Sequence, residues 1–515
     1  MEIFEAIKKS VPGTCLSGRN WTGLKPVPLA CLAALAISLG TGCAVGPNFK
    51  KPAAPAVNSY TDHPLAATVG STNVAGGDAQ RFAKGADIAG DWWTLFHSRP
   101  LNDLIEQSLT NNADLKAAQA ALSVARENVL AQRGVYFPSV SGSFSANRQK
   151  QSEALSPAPN ANIFQYNLFT PQVSVSYSPD VFGLNRRTME NLKAQEQSVR
   201  YQMIATYTTL TANVVVTAIQ EAAMEAEIDT TRQLIDLNSN MVQILQYQFD
   251  KGYASRLDVA AQESQLAQLV ATLPPLLKQS AQFHDQLAVL AGRFPGQVSA
   301  VKFELSSLQL PTDLPLSLPS QLVEQRPDVL QAEANLHAAS AQIGVAIANR
   351  LPNITLTADA GSTALAIDKV FTSGSGFWGI GAQAAAPLFQ GGQLLHQERA
   401  ARAAYTEAAE QYRSTVLTAF QNVADTLAAL EHDAEGVQAA ATAADAAKVT
   451  LDLSQRQWKD GYANYLALLS AEQAYQQADI NLVQAQANRY ADTAALFQAL
   501  GGGWWHRTEL TKDKP

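Results

Sequence analysis

Cysteine is nearly absent from this 515-residue chain: Cys15 and Cys31 fall in the first forty residues, which leaves Cys43 alone for the remainder. A mature chain beginning at Cys43 can form neither an intrachain disulfide nor a thiolate metal cluster. Charge is scarce too. Asp, Glu, Lys and Arg make up 16% of residues, against roughly 25% in ordinary soluble domains. The formal net charge is −8, and a nucleic-acid binder would need a cationic stripe instead. Residues 26–39 are apolar, but they are too few to cross a bilayer as a helix. The seven histidines are scattered, and none forms the helical i, i+4 pair around a carboxylate that zinc sites use. The serines make no nucleophile elbow, and no glycine loop would cradle a phosphate. Enzyme chemistry is therefore not expected, nor is a cofactor or a metal.

The leader has a recognisable order. Lys8, Lys9, Arg19 and Lys25 precede the apolar run, small residues 40–42 follow it, and then comes Cys43. This is the order of a secretory signal ending at a cysteine. Residues 39–43 resemble a bacterial lipobox, in which the cysteine is acylated, although Gly40 stands where leucine is usual. Ala44 rather than an aspartate after the cysteine suits outer-membrane sorting of such lipoproteins. The expected plan is a signal peptide over 1–42 and a lipid-anchored extended arm over 43–100. A first structural repeat follows over 101–319, a second over 320–500, and a tail over 501–515. The arm has one aromatic cluster, residues 91–96, which reads as an anchor onto the body. His506, after Trp504 and Trp505, reads as part of an exposed tail.

The repeat is visible directly. Residues 249–257 (FDKGYASRL) return as residues 458–466 (WKDGYANYL). Each copy ends a very long stretch of helical pattern, 183–250 and 391–460, and each precedes a shorter one. At 1.5 Å per residue the long helices would each be about 100 Å. The shorter helices, 101–135 with 257–291 and 320–350 with 464–499, match that length only in pairs. Two short helices are thus expected to stack end to end beside each long one. In the second long helix Tyr405, Ala409, Tyr412, Val416, Phe420, Val423, Leu427 and Leu430 step by fours and threes. The stepping continues through Val437, Ala441, Ala444 and Leu451, which is a coiled-coil period. Pro274 and Pro275 are expected to mark a local helix break.

Between the helices lie four short segments with period two: 139–146, 172–178, 354–359 and the weaker 377–388. Serine and threonine mark one face; Val, Phe, Ile and Trp mark the other. Strands of about ten residues suit a tilted crossing of a bilayer. Four strands cannot close a barrel, and open edges are not tolerated in lipid. Membrane strands here would require copies of the chain to share one barrel. A small soluble sheet with one solvated face has the same period.

Residues 43–52 (CAVGPNFKKP) resemble the N-terminus of the lipoprotein branch of TolC-like outer-membrane efflux channels, the NodT type. Residues 322–329 (LVEQRPDV) resemble the family segment that opens the second repeat, and the tandem Gly252 and Gly461 turns complete the likeness over residues 43–505. The resemblance implies a mixed, mainly α fold: a TolC-like coiled-coil helical barrel with four strands per protomer in a shared transmembrane β-barrel. It implies a homotrimer in the outer membrane that reaches into the periplasm, a passive conduit for small molecules. The implied partners are a periplasmic adaptor and an inner-membrane pump of the RND type. The implied docking tip is Gly252, Tyr253, Ala254, Ser255, Arg256, Leu257 and Asp258 with Gly461, Tyr462, Ala463, Asn464 and Tyr465. The implied constriction is Leu466 and Ser470. Related channels carry aspartate at the latter place, so Ser470 sets an acidic gate in question; Leu466 reads equally as a seam residue. A duct for type I protein secretion and a lipid-anchored periplasmic scaffold without a pore are the alternatives.

Overall fold

The computed structural model describes residues 44–63, 65–71, 74–150, 152, 165–297, 303–463 and 465–511. The chain divides into two units, Met1–Cys43 and Ala44–Pro515, and the described residues all belong to the second. The signal segment, Cys43 and Asn464 lie outside the described residues.

Two helices dominate, Leu184–Asp250 and Gln393–Lys459, each 67 residues and so about 100 Å long. They run uninterrupted because neither contains proline and Gly436 is their only glycine. Helix breakers are confined to the ends, at Gly183 and Gly392, both at positive φ. The second long helix buries Tyr412, Val416, Val423, Leu427, Leu430, Ala434, Val437, Ala441, Ala444 and Leu451. That is the expected seam, with alanine where a neighbouring helix approaches closely.

The shorter helices stack in the expected pairs. Ala113–Arg133 and the return helix Arg256–Leu290 pack along the first long helix; Tyr465–Ala499 packs along the second, and Pro327–Ala348 lies against both long helices. The last carbonyls of a helix lack intrahelical donors, and each junction supplies one from the next helix in the stack. Asn112 caps Leu115 N at 3.0 Å and donates from Nδ2 to Leu290 O at 3.1 Å. In the second repeat Arg326 Nη1 donates to Ala499 O at 2.8 Å. The two repeats thus solve one joint with different side chains.

Several expectations need correction. The helix expected over 101–135 is two, Arg99–Asn111 and Ala113–Arg133, parted at Asn112 with ψ 130°. Its side chain caps the second piece instead of continuing the first. The helix expected over 320–350 splits at Arg326 into Pro319–Gln325 and Pro327–Ala348, because a residue before proline is driven out of helical geometry. Conversely, the return helix runs through Pro274 and Pro275 without a break. The carbonyls that lose their donors belong to the exposed residues Val270 and Ala271, which water can reach.

The arm is anchored as expected. Trp92, Trp93 and Phe96 are buried in a single turn of 3-10 helix, and Trp92 stacks on Phe497 at 5.0 Å. It also contributes a strand that periodicity did not announce: β1 (Arg81–Lys84) pairs in parallel with β4 (Asp313–Leu316) from the link between repeats. The tail is not free. Trp504 Nε1 donates to Gln325 O at 2.7 Å, and His506 Nε2 lies 2.6 Å from Asp87 Oδ2. Arg507 lies over the Trp93 ring, and Leu510 is buried.

Candidate functional site

The four alternating segments form one antiparallel sheet in the order β2 (Ser139–Lys150), β3 (Gln165–Tyr177), β5 (Asn353–Ser362), β6 (Gly376–Ala385). Two strands come from each repeat. The register carries one chemistry across all four strands. Val140 pairs with Val175, Val175 with Ala358, and Ala358 with Ile380; the neighbouring row on that face is Gly142, Val173, Ala360 and Trp378. The intervening rows, on the opposite face, are Ser139, Ser176, Thr357, Gly381 and Ser141, Ser174, Asp359, Gly379. Gln172 Nε2 ties this face together, donating to Ser174 Oγ at 2.8 Å and Asp359 Oδ1 at 2.9 Å. Cross-strand partners share a face, so the sheet has one hydroxyl-rich face and one apolar face. The apolar face is bare: Trp378 and Ile380 are 78% and 79% exposed. Among the described residues nothing in the chain pairs with the outer edges of β2 and β6.

At the far end of the long helices the repeated turns adopt one geometry. Gly252 N donates to Phe249 O and Tyr253 N to Gln248 O; Gly461 N donates to Trp458 O and Tyr462 N to Gln457 O. Both are Schellman closures, and both need the positive φ of their glycines, 78° and 76°. The closures push the next residue outward, so Tyr253 and Tyr462 are 85% and 87% exposed. Ser255 and Asp258 form a capping box that starts the return helix. Gly252, Ser255, Arg256, Leu257 and Gly461 are exposed, while Ala254, Asp258 and Ala463 are half-buried. Tyr465 differs: its ring is buried with Met241, Leu245, Val259, Leu451 and Leu468 in a small core that ties the turns together.

Leu466 and Ser470 both lie on the exposed face of the last helix, one turn apart. Glu472 points the other way and is fully buried, with neither carboxylate oxygen hydrogen-bonded. Burial alone pushes its carboxyl up to about 7. Sequence reasoning missed this burial. The available signal was its place beside Leu468 and Ala471 on one apolar side. Midway along the second long helix Asp433 faces Asp492, and burial together with that second carboxyl raises Asp433 well above the usual carboxylate range. Arg489 beside them is buried and donates to Gly76 O, Asp78 O and Thr68 Oγ1, fastening the arm. Among the described residues no cluster of His, Cys, Asp and Glu could hold a metal ion, and no helix is long and apolar enough to cross a membrane.

This arrangement has known counterparts. Residues 104–293 and 318–502 match the family model described as outer membrane efflux protein. The probable efflux pump outer membrane protein TtgC of Pseudomonas putida is 30% identical over 484 residues, 93% of this chain and 96% of that protein. Outer membrane protein OprJ of Pseudomonas aeruginosa is 27% identical over 481 residues, 93% and 96% of the two chains. The solved outer-membrane channel OprN matches with a TM-score of 0.78 at 25% identity, over 90% of this chain and all of that one. The chain belongs to the outer membrane efflux protein family: it is a TolC-like outer-membrane component of an efflux pump, extending from the outer membrane into the periplasm.

Proposed function

We propose that three copies join their sheets edge to edge into a twelve-strand barrel in the outer membrane, continued by a twelve-helix tube in the periplasm. The supporting observation is the four-stranded sheet with two open edges, one hydroxyl face and one bare apolar face. In lipid an unpaired strand edge costs several kcal/mol per group, so β2 of one copy pairs with β6 of the next. The hydroxyl face then lines water and the apolar face meets lipid. Cys43, at the end of a signal peptide spanning 1–42, carries the acyl anchor.

The tip residues, from Gly252 to Asp258 and from Gly461 to Tyr465, receive a periplasmic adaptor that links the tube to an inner-membrane pump of the RND class. The two tyrosines and Leu257 offer exposed apolar area there; Tyr465 acts from below as a brace. Leu466 and Ser470 ring the bore near the tip, with no carboxylate at that level of the helix face. The channel is passive and catalyses nothing. Full-length protein in a planar bilayer should conduct, and unheated it should run as an SDS-resistant trimer. A non-conducting monomer would overturn the reading in favour of a scaffold. Cross-linking through a cysteine at Tyr253 or Tyr462 should capture an adaptor; capture of none would remove the docking role.

A further inference from the structure

The sheet's apolar face carries a groove at the end farthest from the helices. β2 starts beside the helices at Ser139 and ends at Lys150, so its later residues lie at that far end. The loop 363–375, between β5 and β6, folds back over the apolar face there. Its first residues continue the ladder: Ala364 N donates to Phe169 O at 3.1 Å, and Phe169 N to Ala364 O at 2.9 Å. Ser362, two residues beyond Ala360, stands on the apolar face. A hydroxyl in an apolar setting is costly without a partner, and the loop supplies one. Ser362 Oγ lies 2.7 Å from Ser375 Oγ, which lies 2.8 Å from Val370 O. Val370 is buried, while Phe371 beside it is 87% exposed.

Sheet and loop bound a groove of about 660 Å³, lined by Phe144, Pro171, Val173, Ala360, Val370 and Phe371. That is the size of a small-ligand site, and no described residue fills it: Phe144 and Val173 are 60% and 51% exposed. Farther out, the same face turns cationic. Phe144, Ala146, Arg148 and Lys150 follow one another on that face of β2. Asn167 and Gln165 of β3 are the cross-strand partners of the two cations. Arg148 lies about 13 Å along the strand from Phe144, and Lys150 about 7 Å farther. Lys369 adds a cation in the loop beside Val370, paired with Asp368 at 3.7 Å. Asp359, the one carboxylate of the four described strands, lies on the hydroxyl face.

We propose that this groove seats an acyl chain of a phosphorylated glycolipid of the outer leaflet, with the lipid's phosphates on Arg148 and Lys150. The inference rests on the shared-barrel reading, which turns the apolar face to lipid and the far end of the sheet to the cell exterior. Charge complementarity selects the occupant. Three cations meet one carboxylate, Asp368, among the described residues of this rim, so a zwitterionic phospholipid would leave them unmatched. Two cations about 7 Å apart on one strand, each beside an amide, suit a headgroup that carries more than one phosphate together with sugar hydroxyls. The order along the face, apolar groove and then charge, is the order of such a lipid from chain to headgroup.

Native mass spectrometry of the full-length protein in detergent tests this, with a diphosphorylated, multiply acylated glucosamine disaccharide as the probe. Its dephosphorylated form and phosphatidylglycerol are the comparisons. Wild type should hold the diphosphorylated probe about tenfold or more tightly than either. Arg148→Gln combined with Lys150→Gln should lose that margin and bind the two disaccharides alike. Phe371→Ser should weaken both disaccharides equally, because it removes apolar surface and no charge. All three positions are exposed, and the SDS-resistant trimer of unheated protein verifies that each variant assembles. Equal binding of the two disaccharides by wild type, or undiminished binding by the double variant, overturns the phosphate contacts. Unchanged binding by Phe371→Ser overturns the acyl groove, and phosphatidylglycerol held as tightly as the probe overturns the glycolipid. A trimer with any of these results loses the lipid site and keeps the barrel; a monomer loses the barrel and the site with it.

Discussion

At the residue scale, Glu472 carries the clearest consequence. Its folded carboxyl sits at about 7, above its ordinary 4.5, because burial disfavours the charge. The folded tip therefore holds a proton that the unfolded chain gives up. The associated stability is fully present below pH 4.5 or so and is lost as pH rises through 7. At pH 8 the cost is about 3 kcal/mol. Amide exchange over residues 465–475 should accelerate between pH 5 and 8 beyond its intrinsic rate, and Glu472→Gln should remove that excess. Reading exchange locally separates Glu472 from Asp433, which titrates beside Asp492 far from the tip. Ser470 supports a second expectation. Ser470→Asp should place three carboxylates at the proposed constriction and shift the reversal potential in a potassium chloride gradient towards cation selectivity. An unchanged potential would remove Ser470 from the bore. Sequence alone identified Ser470 and Leu466 only through the family likeness. The burial of Glu472 left only one local sign, its place beside the apolar Leu468 and Ala471.

At the element scale, local patterns were strong wherever one period ran long. The seam from Tyr412 to Leu451 was legible because a 3.5-residue repeat must bury one stripe. The strands were legible because serine or threonine alternates with apolar residues in three of them and glycine does in the weaker fourth, although their ends were not: β2 continues to Lys150 and β3 begins at Gln165. The joints were less legible. Asn112 stands in a polar run that also suits helix, and its cap on Leu115 N together with its bond to Leu290 O explains the break there. The pair β1 and β4 is four residues long and joins segments over two hundred residues apart, so neither strand shows a period. The two faces of the sheet should respond oppositely to charge. Ile380→Arg on the apolar face should destabilise the assembled protein by about 2–4 kcal/mol at mid-membrane depth, measured as a lower dissociation temperature of the oligomer. Ser141→Lys on the hydroxyl face should leave that temperature nearly unchanged. Equal effects would mean that the faces have been assigned wrongly. At the tips, Gly252→Val or Gly461→Val should cost about 1–2 kcal/mol through left-handed backbone strain, seen as faster exchange at Tyr253 or Tyr462.

At the scale of the whole molecule, the duplicated plan was written plainly in the sequence, and the way its halves are fastened was not. The repeats meet directly, where β3 pairs with β5 and the first long helix packs on Pro327–Ala348, and the arm and the tail add further fastenings. The arm inserts Trp92 against Phe497, Arg489 holds residues 68–78, and the tail returns to Asp87. Trp92→Ala should therefore loosen both repeats together, at about 3–5 kcal/mol for a buried aromatic, as a single lowered transition in thermal unfolding. Two separate transitions would show that the halves are stable alone.

The shared barrel is tested most directly by paired cysteines on the two free edges, scanned over residues 140–146 of β2 and 377–382 of β6. Within one chain two strands separate these edges, a gap of about 14 Å, which no disulfide can span. Oxidation of the membrane-embedded protein should yield, for at least one pair, covalent dimers and trimers that reducing agent returns to monomer. Monomer alone for every pair would contradict a barrel closed between copies.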